Sequence, residues 1–179
     1  MSVIIKKNTF YLFVAIVFIS CNSYYNTKKI NTISKLQYKT DSDLNLLNSI
    51  PTSDLNNKLK IAKLNLAKIE KKKLDSIALE LIYFEYKAYI NCVNTVYEGM
   101  QEIKVLNQEL HINHEQLKNI KYDYENSRAK RDDLIQHLTI EDKIVKATSS
   151  KVLQLVEKME TQILKFDTIN SEIESLIHL

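Results

Sequence analysis

The chain has one glycine, Gly99, one proline, Pro51, and no tryptophan among its 179 residues. Tight β-hairpins depend on residues that adopt positive φ, above all glycine. Enzymes with α/β folds need glycine-rich loops where the backbone approaches a phosphate. A chain with a single glycine provides for neither. The sequence therefore predicts an all-α protein whose helices are joined by short polar connections.

The first twenty residues follow the order of an export signal. Lys6 and Lys7 form a basic start, and an unbroken apolar run occupies residues 10–19. A membrane-spanning helix needs about 20 apolar residues, whereas the apolar core of a signal peptide has about 7–15. We therefore expect residues 1–20 to be a signal peptide that is removed on export.

A cysteine directly follows this apolar run. The segment Phe18-Ile19-Ser20-Cys21 resembles the lipobox of bacterial lipoproteins, in the loose form typical of spirochaetes, with Phe18 and Ile19 in place of the usual leucine and small residue. The resemblance implies cleavage before Cys21, a diacylglycerol on its sulfur and anchoring in a membrane. The alternative is an ordinary secretory signal with an unrelated cysteine, which would need the A-x-A-like cleavage site that this segment lacks.

The composition of the remaining chain restricts its partners and its chemistry. With Cys21 lipidated, Cys92 is the other cysteine, so no intramolecular disulfide forms and the fold must depend on its apolar core. Basic and acidic residues are nearly balanced after the signal peptide, so no overall charge favours nucleic acid.

The start of the folded domain is predicted from a change in composition. Residues 21–40 are rich in Asn, Ser, Thr, Tyr and Lys without a sustained apolar period, which predicts a lipidated flexible tether. The helical domain is then expected at 41–179. A short helix from Asp43 to Asn48 ends before Pro51, and Ser53 is the expected N-cap of the next helix.

Apolar residues spaced three and four apart predict the main helices. The first stripe contains Leu55, Leu59, Ala62, Leu66 and Ile69. After a connection near residues 72–76, a second stripe contains Ile77, Leu81, Phe84, Ala88, Cys92, Val96, Gly99, Ile103, Leu106 and Leu110, and then Leu117, Ile120 and Tyr124. This second stripe predicts either one helix of about fifty residues or two helices that meet near Asn113.

The last part of the chain contains a charged segment, a possible helix start and then the most regular apolar stripe. Charged residues at 125–133 indicate either a turn or an exposed helix face, and Thr139 with Asp142 resembles a capping box at a helix start. The stripe contains Val152, Val156, Met159, Ile163, Phe166, Asn170, Ile173 and Ile177. We predict an elongated antiparallel bundle of three to five amphipathic helices with coiled-coil-like packing.

Catalytic and metal-binding patterns are weak. His111, His114 and Glu115 lie on one stretch of helix, but such a group does not close a tetrahedral metal site. Cys92 lies within an apolar stripe, as a small buried hydrophobic residue would. Because no phosphate loop, nucleophile elbow or HExxH motif is present, we expect a protein that is not an enzyme and has no metal or cofactor.

Lysines are concentrated in the first long helix, whereas the last helix is acidic. The group contains Lys58, Lys60, Lys63, Lys68, Lys71, Lys72 and Lys73. One interpretation is that oppositely charged helices attract each other within the bundle. The other is a binding site for a polyanion such as a sulfated glycosaminoglycan.

Tyrosines form a second candidate surface. Tyr83, Tyr86 and Tyr89 are three residues apart beside the apolar stripe, and Tyr97 follows two turns later. These rings either pack at the edge of the core with their hydroxyls in water, or form a protein-binding surface, since tyrosine is enriched in binding hot spots.

The layout resembles the small plasmid-encoded outer-surface lipoproteins of Borrelia spirochaetes. The resemblance depends on the Phe18–Cys21 lipobox, the Asn/Ser/Lys-rich segment after it and the Ile/Lys/Asn-rich helical body. It implies an outer-membrane protein, lipid-anchored through Cys21 and displayed on the cell surface. Helical members of that group include adhesins for decorin and collagen and binders of complement regulators. No subfamily can be assigned.

Two functions from different classes therefore stay open. The first is a non-enzymatic surface protein that binds host extracellular-matrix or serum proteins. The second is a periplasm-facing structural or envelope coiled-coil protein, and a phage-derived lysis lipoprotein is a weaker third. No feature of the sequence indicates an oligomer.

Overall fold

The computed structural model describes residues 26–71, 76–126 and 130–178, with only the backbone described at 76–79, 81 and 178. These residues form four helices: α1 at 26–48, α2 at Thr52–Lys71, α3 at Ser76–Asn126 and α4 at Arg131–His178. No strand occurs within these ranges. The prediction of an all-α helical bundle is confirmed.

The predicted tether is wrong for residues 26–40, which belong to α1. Ile33 is fully buried, and Leu36 and Thr40 are buried with it on the same side of the helix. Their spacing of three and four residues is a helical period. Because most residues between them are polar, the composition of this segment resembles that of a flexible tether. Residues 21–25, including Cys21, and the predicted signal peptide at 1–20 lie outside the described residues.

Pro51 separates α1 from α2. Proline has no backbone N–H and cannot continue the helical hydrogen bonds. The chain instead makes a tight turn, in which the Ile50 N–H donates to the Leu47 carbonyl over 3.3 Å and the Thr52 N–H donates to the Ile50 carbonyl over 2.8 Å. Because the Leu55 N–H then donates to the Pro51 carbonyl over 3.0 Å, Pro51 occupies the N-cap position that Ser53 was predicted to hold.

The chain divides into two compact units, and unit 1 contains residues up to Asp41 together with Ile112–Lys146. Its described parts are segments of α1, α3 and α4, arranged around one apolar core. The core residues are Ile33, Leu36, Leu117, Ile120, Tyr124, Leu134, Leu138 and Val145. α1 is antiparallel to α3, because the Asn26 side chain donates to the Tyr124 carbonyl over 3.3 Å while Asp41 lies beside His114.

Unit 2 contains Ser42–His111 and Ala147–Leu179. One core cluster joins the end of α1 and the start of α2 to α3 and α4 around Leu47, Leu106 and Met159. A second cluster joins α2 to α3 and α4 around Ala62, Tyr89 and Phe166. Pro51 thus ends α1, and α2 after it packs against α3 and α4, as the end of α1 does.

α3 is one continuous helix with a seven-residue repeat of buried side chains. These are Ile82, Tyr89, Val96, Ile103, Leu110, Leu117 and Tyr124. The alternative break near Asn113 does not occur, since Asn113 is a buried position within the helix. The predicted stripe was wrong at Phe84 and Ala88: both are exposed, Phe84 to 77 %, and Ile82 and Tyr89 are buried instead. The side chains of Ile77 and Leu81 lie outside the described part of the chain.

The single glycine of the chain, Gly99, lies against the Met159 side chain of α4. A Cβ atom at Gly99 would overlap the sulfur of Met159, which is fully buried on α4. α4 itself begins at Arg131, so the predicted start at Thr139 was wrong, and the Thr139 hydroxyl donates to the Ile135 carbonyl inside the helix. The last apolar stripe is confirmed from Val152 to Ile177.

Candidate functional site

The lysines of α2 divide into two groups with different surroundings. Lys60, Lys63, Lys68 and Lys71 are exposed, and they lie on the side of α2 opposite its buried residues Leu55, Ala62, Asn65 and Ile69. We call these four residues the lysine face. None of them forms an ion pair with another residue that the structure describes. Lys72 and Lys73 lie outside the described residues.

Lys58 belongs to the bundle and not to the lysine face. Its side chain is only 15 % exposed, its ammonium donates to the Asp167 carboxylate, and Asp54 lies 3.6 Å away on the previous turn. The ammonium also lies 5.5 Å from the centre of the Phe166 ring. Burial by itself lowers the pKa of Lys58. The hydrogen bond to Asp167 and the negative charges of Asp167 and Asp54 raise it by more in total, so the pKa of Lys58 lies above its ordinary value.

The two interpretations of the lysine group therefore apply to different residues. Lys58 pairs with the acidic helix α4, as the interpretation of attracting helices predicts. The lysine face keeps its charges exposed. Along the helix axis, Lys60 and Lys71 are about 16 Å apart at 1.5 Å per residue. An elongated anion could therefore contact several of its ammonium groups together.

The four tyrosines do not form one surface. Tyr83 and Tyr97 are 52 % and 58 % exposed, Tyr86 is half-buried and Tyr89 is completely buried. Tyr83 packs edge-on against exposed Phe84 with ring centres 5.7 Å apart. The Lys87 ammonium lies over the Tyr83 ring, 5.7 Å from the ring centre. The exposed aromatic group is thus Tyr83 with Phe84, and not the predicted Tyr83, Tyr86 and Tyr89.

Buried Tyr89 belongs to a polar network in unit 2 that extends from the core to the surface. Its hydroxyl donates to the Asn170 side-chain oxygen over 2.6 Å, and the Asn65 amide donates to the same oxygen over 3.1 Å. The Asn170 amide in turn donates to Glu174 over 2.9 Å. Side chains of α2, α3 and α4 therefore share one hydrogen-bonded group. Such a network fixes the register in which the helices pack.

The candidate catalytic and metal-binding residues have different surroundings. His111 is exposed, while His114 Nδ1 lies 3.0 Å from Asp41 Oδ1 on α1. Cys92 is buried and its thiol donates weakly to the Gln162 carbonyl, and burial raises the pKa of this thiol. Across the described ranges, no group of three His, Cys, Asp or Glu side chains is arranged to hold a metal ion.

A groove in unit 1 was not identified from the sequence. It has a volume of about 300 Å³ between α3 and α4, and Glu141 lies within it although only 7 % of that residue is exposed. Gln116 faces this carboxylate. With the Gln116 amide oriented so that its nitrogen points towards Glu141, that nitrogen lies 3.0 and 3.3 Å from the two carboxylate oxygens and donates to them. Burial raises the pKa of Glu141, and neighbouring His137 acts in the opposite direction.

The signal for this groove is a charged residue in an apolar repeat. Leu134, Leu138, Glu141 and Val145 continue the spacing of three and four seen later in α4, and all are buried. A helix that begins at Thr139 would instead have Glu141 in its first turn, where acidic residues are favourable. With α4 beginning at Arg131, the same residue falls on the core side.

Within the described ranges, none of the helices contains a segment long and apolar enough to cross a membrane. No protein-family model, curated protein or solved structure matches this chain.

Proposed function

We propose that this protein is a lipid-anchored bacterial surface protein that binds host molecules without catalysing a reaction. The lysine face of α2 is its binding site for a sulfated polyanion of the extracellular matrix. The proposed anchor is a diacylglycerol on Cys21, and two fatty chains hold a protein durably to a bilayer. The support for display and host contact is the resemblance of the signal and body sequence to spirochaetal surface lipoproteins.

The observation that supports the lysine face most directly is the contrast with Lys58. Lys58 is neutralised by Asp167 and Asp54. The four residues of the lysine face are exposed and have no acidic partner among the described side chains. Exposed ammonium groups attract an anion at a distance, and this attraction weakens with added salt because counter-ions screen it over about 10 Å at 0.1 M.

The test is heparin binding by a protein in which Lys60, Lys63, Lys68 and Lys71 are all changed to Gln. We expect the unchanged protein to bind heparin at low salt and to lose most of its affinity by about 0.3 M NaCl. The variant should bind heparin at least about tenfold more weakly at low salt. A tenfold loss of affinity corresponds to about 1.4 kcal/mol, and the loss of four ammonium groups together needs to supply only this amount.

The matched control changes four other exposed lysines, Lys28, Lys35, Lys104 and Lys143, to Gln. This variant has the same net charge as the first. If both variants lose affinity equally, the attraction comes from overall charge, and the lysine face is not the site. Heparin binding that does not change with salt would also contradict the proposal.

A further inference from the structure

The carboxylate of Glu141 is an unusual group for the core side of a helix, because Glu is rarely buried unless it is paired. It lies on the core side of α4 in unit 1, where the neighbouring positions Leu138 and Val145 are apolar. The neutral amide of Gln116 donates to it, His137 is close enough to lower its pKa, and no Lys or Arg among the described residues pairs with it. A buried charge without a cationic partner is destabilising.

The groove around Glu141 has the composition of a binding site for an organic cation. Asp123 and Glu141 supply two carboxylates, and Asn119 and Gln116 supply amide groups. His137 also lines the groove, and its neutral imidazole at pH 7 adds no opposing charge. Ile120 and Ile140 form its apolar part. Small-molecule sites of this kind combine apolar walls with a few polar groups and a residue of perturbed pKa.

We propose that this groove binds an alkylammonium or alkylguanidinium group, with its charge against Glu141 and Asp123 and its methylene chain between Ile120 and Ile140. An ammonium has three N–H donors and no acceptor, so it suits carboxylate and amide oxygens. Lysine and arginine stems pack along apolar surfaces while their charges contact polar groups. The groove holds about 300 Å³, which is enough for such a chain. This site is independent of the proposed polyanion site on α2.

Loss of Glu141 should affect stability and binding in opposite directions. The folded-state pKa of Glu141 is raised by burial, so its charged form costs stability above that pKa, and the cost is absent below the ordinary pKa of about 4.3. The other titratable groups lining the groove are Asp123 and His137. Glu141→Gln should therefore melt higher than the unchanged protein at pH 7, and the difference in melting temperature should be smaller at pH 4.

The binding test uses the full chain labelled with ¹⁵N and titrated with four probes at pH 7. Spermidine and n-butylguanidinium represent free organic cations, whereas the N-acetyl methylamides of lysine and arginine represent side chains of a protein partner. We expect saturable shifts of the amides at 116–123 and 137–141. They should be lost in Glu141→Gln and kept in Glu115→Gln, which removes an exposed charge from α3.

The outcomes separate the ligand source from failure of the proposal. Saturation by spermidine or butylguanidinium alone indicates a free cation, and saturation by the amino-acid amides indicates a partner's side chain. The proposal is overturned if no probe gives saturable shifts at these residues. It is also overturned if Glu141→Gln binds as the unchanged protein does, or if Glu141→Gln melts lower, since the carboxylate would then have a structural role.

Discussion

Deletion of residues 1–41 is expected to unfold unit 1. The deletion removes Ile33 and Leu36, which are buried members of the apolar core of this unit. Burial of each such side chain contributes about 1.5–3 kcal/mol. A loss of roughly 3–6 kcal/mol is large beside the 5–15 kcal/mol that stabilises a typical domain. Hydrogen exchange of residues 112–146 should become fast, and the helical signal in circular dichroism should fall.

The control is a protein that lacks only residues 1–25, which removes none of the described contacts of α1. Its exchange at 112–146 should equal that of the full chain. If the protein lacking residues 1–41 keeps slow exchange at 112–146, α1 does not contribute to the core, and the predicted tether at 21–40 would be right after all.

The second large effect is expected at Tyr89. Replacement by Ala removes a fully buried ring and should cost about 3–5 kcal/mol in the free energy of unfolding. Replacement by Phe keeps the ring but leaves the Asn170 oxygen without its 2.6 Å hydrogen bond, which should cost about 1–2 kcal/mol. Urea unfolding followed by circular dichroism measures both values.

Tyr83 provides the matched control on the same helix. Because its ring is 52 % exposed, Tyr83→Ala should change stability by less than about 0.5 kcal/mol. A stability of Tyr89→Phe equal to that of the unchanged protein would show that the Asn65–Tyr89–Asn170 network does not hold the helices. A large loss in Tyr83→Ala would show that the tyrosines are assigned to the wrong faces.

The difference between these two tyrosines shows what the sequence could and could not predict. The seven-residue repeat of α3 is visible in the chain, and the helical class follows from it and from the single glycine. Which residues before Cys92 face the core could not be predicted, because Phe84 and Ala88 also have the spacing of an apolar stripe. Contact with Phe166 on α4 selects Tyr89 for the core, and that contact depends on how separate helices pack.

The same limit explains the error at α1 and the missed groove. Ile33 and Leu36 have the correct spacing, but polar residues surround them and the partner positions on α3 are about eighty residues away. Glu141 was recognisable only once α4 was known to begin at Arg131. In contrast, the exposure of Lys60, Lys63, Lys68 and Lys71 agrees with their spacing relative to the first apolar stripe.

Protease treatment of intact bacteria that express the protein tests the proposed function most directly, with a periplasmic protein as the control. Our account predicts that protease removes the protein from the cells while the periplasmic control survives, and that Cys21→Ala releases the protein from the membrane. Protection of both proteins until the outer membrane is opened would contradict display on the surface, and the binding partner would then have to be sought within the cell envelope.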